Sequence, residues 1–247
     1  MQEKDRHIPP PINAANAKPA VHLSDFSAFR GKVEALFVEE ARAYPGEWIT
    51  VLGKNGAGKS TLLLAMMNLI KTRGAYYMLE QDYKRIKHLP EYVSFVFQNP
   101  EFQFVTNSVY DEIAFSLHLD KWEQETISKR VNQMLKIYHL EEHKQTHPYQ
   151  LSMGQKRRLS VAASIVKEQP VIFLDEPTFG QDAKNTFAIL EQLEQLRAQG
   201  TTIIMVTHDL NIVKYFATKV WEMDNGKLVK ESSASNYIET LQPAVIS

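Results

Sequence analysis

The chain has 247 residues, 44% hydrophobic and 23% charged, which is enough apolar side chain to close one substantial core. Its 28 Lys and Arg against 29 Asp and Glu leave a formal net charge of -1, which removes the electrostatic case for a nucleic acid as principal partner; no nucleic acid is expected. The absence of cysteine excludes disulfides and thiolate metal sites, and the longest nearly unbroken apolar stretch, residues 62–70, falls far short of the roughly 20 residues needed to span a bilayer. Residues 1–20 hold charges and three consecutive prolines, Pro9, Pro10 and Pro11, without an apolar centre, and read as a leader or linker rather than a secretory signal. Residues 21–38 mix apolar and polar side chains in short extended segments, which suggests an antiparallel sheet.

The next element, Trp48–Leu52, is a compact β-prone run, and residues 60–70 are rich in Leu, Ala and Met and predict a helix. Between them stand Gly53, Lys54, Asn55, Gly56, Ala57, Gly58, Lys59 and Ser60, followed by Thr61, which satisfy the pattern Gly-x4-Gly-Lys-Ser/Thr at the strand-to-helix junction its chemistry requires. The glycines let backbone N–H groups turn inward around phosphate oxygens, and the helix start adds partial positive charge. Lys59 is expected to reach the β- and γ-phosphates of a nucleotide, and Ser60 to ligate Mg²⁺.

Residues 93–97 predict a further buried strand, after which strands vanish and the pattern turns helical, clearest over 109–117 and 122–138. A helical lobe over about 99–165 is therefore expected as an insertion, with Asn99-Pro100 at its entrance and Pro148 near its exit as breakers. Within it His139, His143 and His147 recur at i, i+4, i+8, a spacing open to metal binding. Pro148, the lack of a fourth ligand and the intervening Glu and Lys point instead to a solvated face. Leu151-Ser152-Met153-Gly154-Gln155 then opens a predicted helix over 155–167, where Ser152 and the backbone around Gly154 form a second helix-start anion site.

Residues 171–174 read as a buried strand delivering Asp175 and Glu176 to the sheet edge where ligands of open α/β folds bind. Asp175 is expected to hold Mg²⁺, and Glu176 to orient and deprotonate an attacking water. A helix over 182–198 closes at Gly200, and the strand Thr202–Val206 brings Thr207, His208 and Asp209 to the same edge, where His208 can donate to a γ-phosphate. Alternating strands and helices imply an α/β sandwich.

In this order the motifs resemble the ABC ATPases, over about residues 21–230. The pentapeptide at 151–155 is similar to that family's Leu-Ser-Gly-Gly-Gln signature with Met153 at the first glycine. Gln98 resembles the Q-loop glutamine, residues 179–182 the D-loop ending in Asp182, and His208 the switch histidine. The resemblance implies a P-loop NTPase core with an antiparallel β subdomain and an inserted helical subdomain. It implies ATP hydrolysis with Mg²⁺, and a head-to-tail pair of cassettes in which Ser152, Gly154 and Gln155 of one cover the nucleotide of the other. It also gives Gln98 a part in holding the metal and Phe29 a part in stacking on adenine, although a core position explains Phe29 equally. The D-loop departs from the usual Ser-Ala/Gly-Leu-Asp at Phe179 and Gln181, which bears on the seam between cassettes.

The run Gln98-Asn99-Pro100-Glu101-Phe102-Gln103, followed by residues 109–115, resembles the ATPases of energy-coupling-factor importers and their cobalt or nickel relatives, and residues 178–182 are similar to ATPases tied to thiamin-related uptake. That implies a motor at the cytoplasmic face of the membrane for import of a vitamin-like compound or metal cation, with integral membrane transporter subunits on other chains and a second cassette in a homo- or heterodimer. Phe102 and Phe104 are then either exposed contacts or part of the lobe's packing. The rival reading is a soluble cassette ATPase acting on DNA or ribosomes. The expected organisation is a leader over 1–20, one ATPase domain over 21–235 and a tail over 236–247; the leader also fits a linker between two fused cassettes.

Overall fold

The computed structural model describes residues 18–241. Most of the expected leader and the end of the expected tail lie outside the described residues.

β1 (Val21–Arg30) and β2 (Val33–Ala43) form an antiparallel hairpin, and β3 (Trp48–Leu52) leads through the glycine-rich turn into α1 (Lys59–Met66). β4 (Lys71–Met78) returns beside β1 with the short β5 (Gln81–Asp82) at its edge, and β6 (Val93–Val96) enters the central sheet. The helices α2 (Val109–Leu119), α3 (Gln124–Ile137) and α4 (Met153–Ile165) follow before β7 (Val171–Asp175). The chain then runs through α5 (Ala183–Ala198), β8 (Thr202–Val206), α6 (Leu210–Tyr215), the antiparallel pair β9 (Lys219–Asp224) and β10 (Lys227–Ser233), and α7 (Ala234–Leu241). The strand order is β5-β4-β1-β2-β10-β9-β3-β8-β7-β6. Strands β9, β3, β8, β7 and β6 are mutually parallel, while β10 meets β2 at the single pair Lys227 and Phe37.

The apolar runs form the centre because both of their faces are covered. Trp48, Leu52, Ile172, Leu174, Ile203 and Met205 point into a core shared with α2 to α5. Their neighbours Ile49, Val51, Phe173, Ile204 and Val206 point into a second core with α1 and the antiparallel strands. Period-two alternation thus splits each strand between two cores, with full burial of such a side chain contributing about 1.5–3 kcal/mol.

Two expectations shift. The helix after the glycine-rich turn ends at Met66 rather than running to 70, because Met67 caps it and Asn68 adopts φ 57°, a left-handed turn that asparagine tolerates. The boundary expected at 235 falls inside α7, whose Tyr237 and Ile238 pack against the first core.

Candidate functional site

Register builds the site. Val51 lies opposite Val206, Val206 opposite Asp175, and Leu174 opposite Val96, so the ends of β3, β8, β7 and β6 stand level. Neighbouring strands are about 4.8 Å apart, so Gly53, His208, Glu176 and Gln98 leave one sheet edge within a short arc.

The turn after β3 is held from beneath. A Cβ on Gly53 would lie 2.3 Å from the carbonyl oxygen of Met223 on β9, so only glycine lets the chain leave the strand here. Gly58 opens α1 at φ 99° without a side-chain cap, which leaves the first helical N–H groups unclaimed by any capping oxygen. Gly226 donates to the Ala57 carbonyl at 3.0 Å and clips the loop to the β9–β10 turn. Lys59 is buried and folds back, its Nζ donating to the carbonyls of Gly53 at 2.7 Å and Lys54 at 3.0 Å. Burial holds this ammonium below the usual lysine range, while the Glu176 and Asp175 carboxylates pull it the other way.

Asp175 is buried at the end of β7, and desolvation pushes its carboxyl up against the opposing pull of a hydrogen bond from Ser60. Its Oδ1 is buried with no hydrogen-bond partner. A buried carboxylate oxygen lacking a donor, beside a serine hydroxyl, supplies hard oxygen donors that fit Mg²⁺. Glu176 follows in the left-handed region at φ 50°, with its N–H bonded to the Val206 carbonyl at 3.0 Å and its carbonyl accepting from Phe179 at 3.2 Å. A non-glycine residue held there costs about 1–3 kcal/mol. This strained backbone turns the Glu176 carboxylate across to β8, where Oε1 lies 3.1 Å from Nε2 of the half-exposed His208.

Gln98 is exposed just past β6. Phe102 beyond it is 75% exposed whereas Phe104 is 7% exposed, so of the two expected contact residues one faces outward and the other packs inward. Phe29 is half-buried with the Arg73 guanidinium 5.0 Å from its ring centre, so one ring face carries a cation.

The signature segment sits elsewhere on the chain. Ser152 and Gln155 form a reciprocal cap on α4, worth about 1 kcal/mol, and Gln155 Nε2 lies 2.7 Å from His143 Nε2. Met153 is exposed at its tip. Among the described residues the hydrogen bonds of Ser152 and Gln155 do not reach the loop at 53–61. Asp182 caps α5 through Asn185 at 2.8 Å, and that bond lowers its carboxyl. No group of three potential metal-ligating His, Asp or Glu side chains occurs among the described residues, and His139 leaves the helical region at φ 51°, so the three histidines do not share one helix.

Arg30 and Arg157 escape sequence reasoning, as does the contact that Gln181 makes. Arg30 donates from Nη2 to Thr61 Oγ1 at 3.1 Å, and Gln181 donates to the Gly154 carbonyl at 3.2 Å. Arg157 is 4% exposed and donates to the Phe97 carbonyl at 3.0 Å. For Arg157 the one available signal is a charge set two residues ahead of an apolar run, a pattern usually solvated.

The family model described as ABC transporter matches residues 40–179. The chain is 37% identical to a Bacillus subtilis protein named putative HMP/thiamine import ATP-binding protein YkoD, over 89% of this chain and 40% of that one. It is 36% identical to the energy-coupling factor transporter ATP-binding protein EcfA of Methanocaldococcus jannaschii, over 81% of this chain and 74% of that one. A solved dimer of the ATP-binding cassette MJ0796, in a post-hydrolysis state bound to ADP and Pi, superposes with a TM-score of 0.76 at 25% identity, covering 87% of this chain and 98% of that one. The chain spans 40% or less of the length of several curated relatives that it matches.

Proposed function

The chain belongs to the ABC transporter family of ATP-binding proteins, and from that premise we propose that it hydrolyses Mg-ATP to drive an importer of the energy-coupling-factor type. The observation that carries this reading is the Glu176–His208 contact of 3.1 Å, which joins a water-activating carboxylate to a γ-phosphate donor on adjoining strand ends beside the glycine-rich turn.

ATP lies along residues 53–61. Lys59 leaves the Gly53 and Lys54 carbonyls for the β- and γ-phosphates, the N–H groups of Gly56 and Gly58 cradle the β-phosphate, Ala57 holds the turn by donating to the Lys54 carbonyl at 3.0 Å, and Asn55 lines the nucleotide. Phe29 stacks on adenine with the ring face that Arg73 leaves open. Ser60, Asp175 and Gln98 would hold Mg²⁺, which would supply positive charge to offset that of the phosphates. Glu176 takes the proton of the attacking water, and His208 steadies the γ-phosphate while fixing the Glu176 carboxylate. Ser152, Gly154 and Gln155 close over the nucleotide of a second cassette, and Asp182 orders the D-loop at that seam. The reciprocal cap engages the N–H groups of Ser152 and Gln155 and leaves those of Met153 and Gly154 to receive an anion on another chain.

The transporter reading is supported by surface chemistry beside Gln98. Phe102 and Val105 are 75% and 66% exposed next to the half-exposed Tyr149, a concentration of apolar area suited to a membrane-embedded partner's cytoplasmic segment. No helix among the described residues is long and apolar enough to cross a membrane. In this reading the chain acts from the cytoplasmic face beside integral membrane subunits, and the cargo is a vitamin-like compound or a metal cation. Expression with its neighbouring reading frames tests this: hydrophobic subunits should co-purify and raise ATP turnover in proteoliposomes. Stimulation by DNA or ribosomes instead, with no membrane subunit retained, would favour a non-transport role.

A further inference from the structure

The face of α4 that begins at Ser152 also grips the segment around Gln98. Glu101 Oε1 accepts from Lys156 Nζ at 2.5 Å, and Gln103 binds Ser160 twice, Nε2 donating to its carbonyl at 3.0 Å and Oε1 accepting from its hydroxyl at 2.9 Å. Ser164 donates to the Phe95 carbonyl at 3.2 Å. These anchors flank Gln98 at a distance; the carbonyl immediately before it, on Phe97, is held by Arg157 Nη1 at 3.0 Å.

Arg157 is not an ordinary surface cation. It is 4% exposed, and its Nε is buried with no hydrogen-bond partner. Burying a guanidinium is costly unless opposite charge offsets it, and the carboxylates that attract it are Glu176 and Asp175. Desolvation lowers its affinity for its proton and those carboxylates restore part of it, although a guanidinium stays charged at any ordinary pH. One rigid fork thus sits in the field of the Glu176 and Asp175 carboxylates while it holds the Phe97 carbonyl of the peptide that precedes Gln98.

We infer that Arg157 is a positioning residue for the ATPase reaction, setting Gln98 relative to Asp175 and Glu176 and making the Gln98 segment move with α4. This rests on the proposed role of Gln98. Arg157 touches no reacting atom; it acts by fixing the Phe97 carbonyl, and a misplacement of about 1 Å at such a site can cost roughly a hundredfold in rate.

The test is a double-mutant cycle on ATP turnover of the whole chain, with Arg157→Gln and Gln98→Ala. Arg157→Gln is expected to lower kcat by about tenfold to a hundredfold while KM for Mg-ATP stays within about threefold, and Arg157→Lys to recover part of the loss because it keeps the charge without the fork. In the Gln98→Ala background the same Arg157 change should have little further effect. An equal loss in that background would overturn the inference, because Arg157 would then act directly on the carboxylates or on folding. Wild-type kcat in both Arg157 variants would overturn it too. If Gln98→Ala alone leaves turnover unchanged, the role given to Gln98 fails, and with it this inference. Should Arg157→Gln not fold, the cycle with Arg157→Lys decides by the same criterion.

Discussion

Gln181 Nε2 donates to the main-chain carbonyl of Gly154 at 3.2 Å, so the loop that begins at Glu176 is bonded to the first turn of α4 in the same chain. The other end of that amide, Oε1, faces Arg158 Nη1 at 3.5 Å. The glutamine that departs from the usual leucine of the D-loop therefore has a local structural task. Gln181→Leu shortens the side chain by one atom and removes this bond, and should cost about 0.5–1.5 kcal/mol of stability, the ordinary net worth of one hydrogen bond. Urea unfolding checks the figure, and a variant at least as stable as the parent would show that the bond is not maintained in solution.

Gly53 and Gly56 make a contrasting pair. A methyl group on Gly53 would meet the Met223 carbonyl oxygen at 2.3 Å, whereas one on Gly56 would meet nothing within 4 Å and carries only the strain of φ 82°. Gly53→Ala must displace the turn from β9 and should weaken ATP binding by more than about tenfold, while Gly56→Ala should cost about 1–3 kcal/mol of stability and bind more tightly than Gly53→Ala. Titration with a fluorescent ATP analogue ranks the two, and the reverse order would contradict the packing of this turn.

Glu47 precedes β3, and burial raises its carboxyl above the usual glutamate value despite Lys219 Nζ at 3.4 Å and the Tyr44 N–H at 2.8 Å. Glu231, itself 3.0 Å from Lys219, adds to the rise. The folded state therefore holds this proton to higher pH than the unfolded chain does. Stability from this group falls as pH rises from the unfolded value of about 4.3 through the raised folded value. Glu47→Gln should flatten that part of the stability profile, measured by denaturant unfolding in steps of pH. An unchanged slope would remove Glu47 as its source.

Much of the centre of the fold was legible because its strands are covered twice. Trp48–Leu52 and Thr202–Val206 read as compact β-prone runs, and each leads into residues proposed to carry the chemistry. β10 was illegible because Lys227–Ser233 has no buried residue to set a period, and β4 buries only Tyr76 and Met78 along its length. The glycine-rich turn could be located because its motif is contiguous. The Glu176–His208 approach depends on φ 50° at Glu176, a backbone state that residue type alone does not announce. Arg157 and Arg30 were hidden for a related reason: a buried or site-facing arginine has the same letter as a solvated one, and only the fold shows which carbonyl or hydroxyl it meets.

The central claim is that Glu176 activates water for cleavage of ATP held at residues 53–61. Single-turnover hydrolysis by the Glu176→Gln variant, beside equilibrium binding of ATP, tests it most directly. The expected result is binding within about threefold of the parent and hydrolysis slower by roughly 10²–10⁴. Hydrolysis at the parental rate with binding intact would contradict the role of Glu176 and the site built around it.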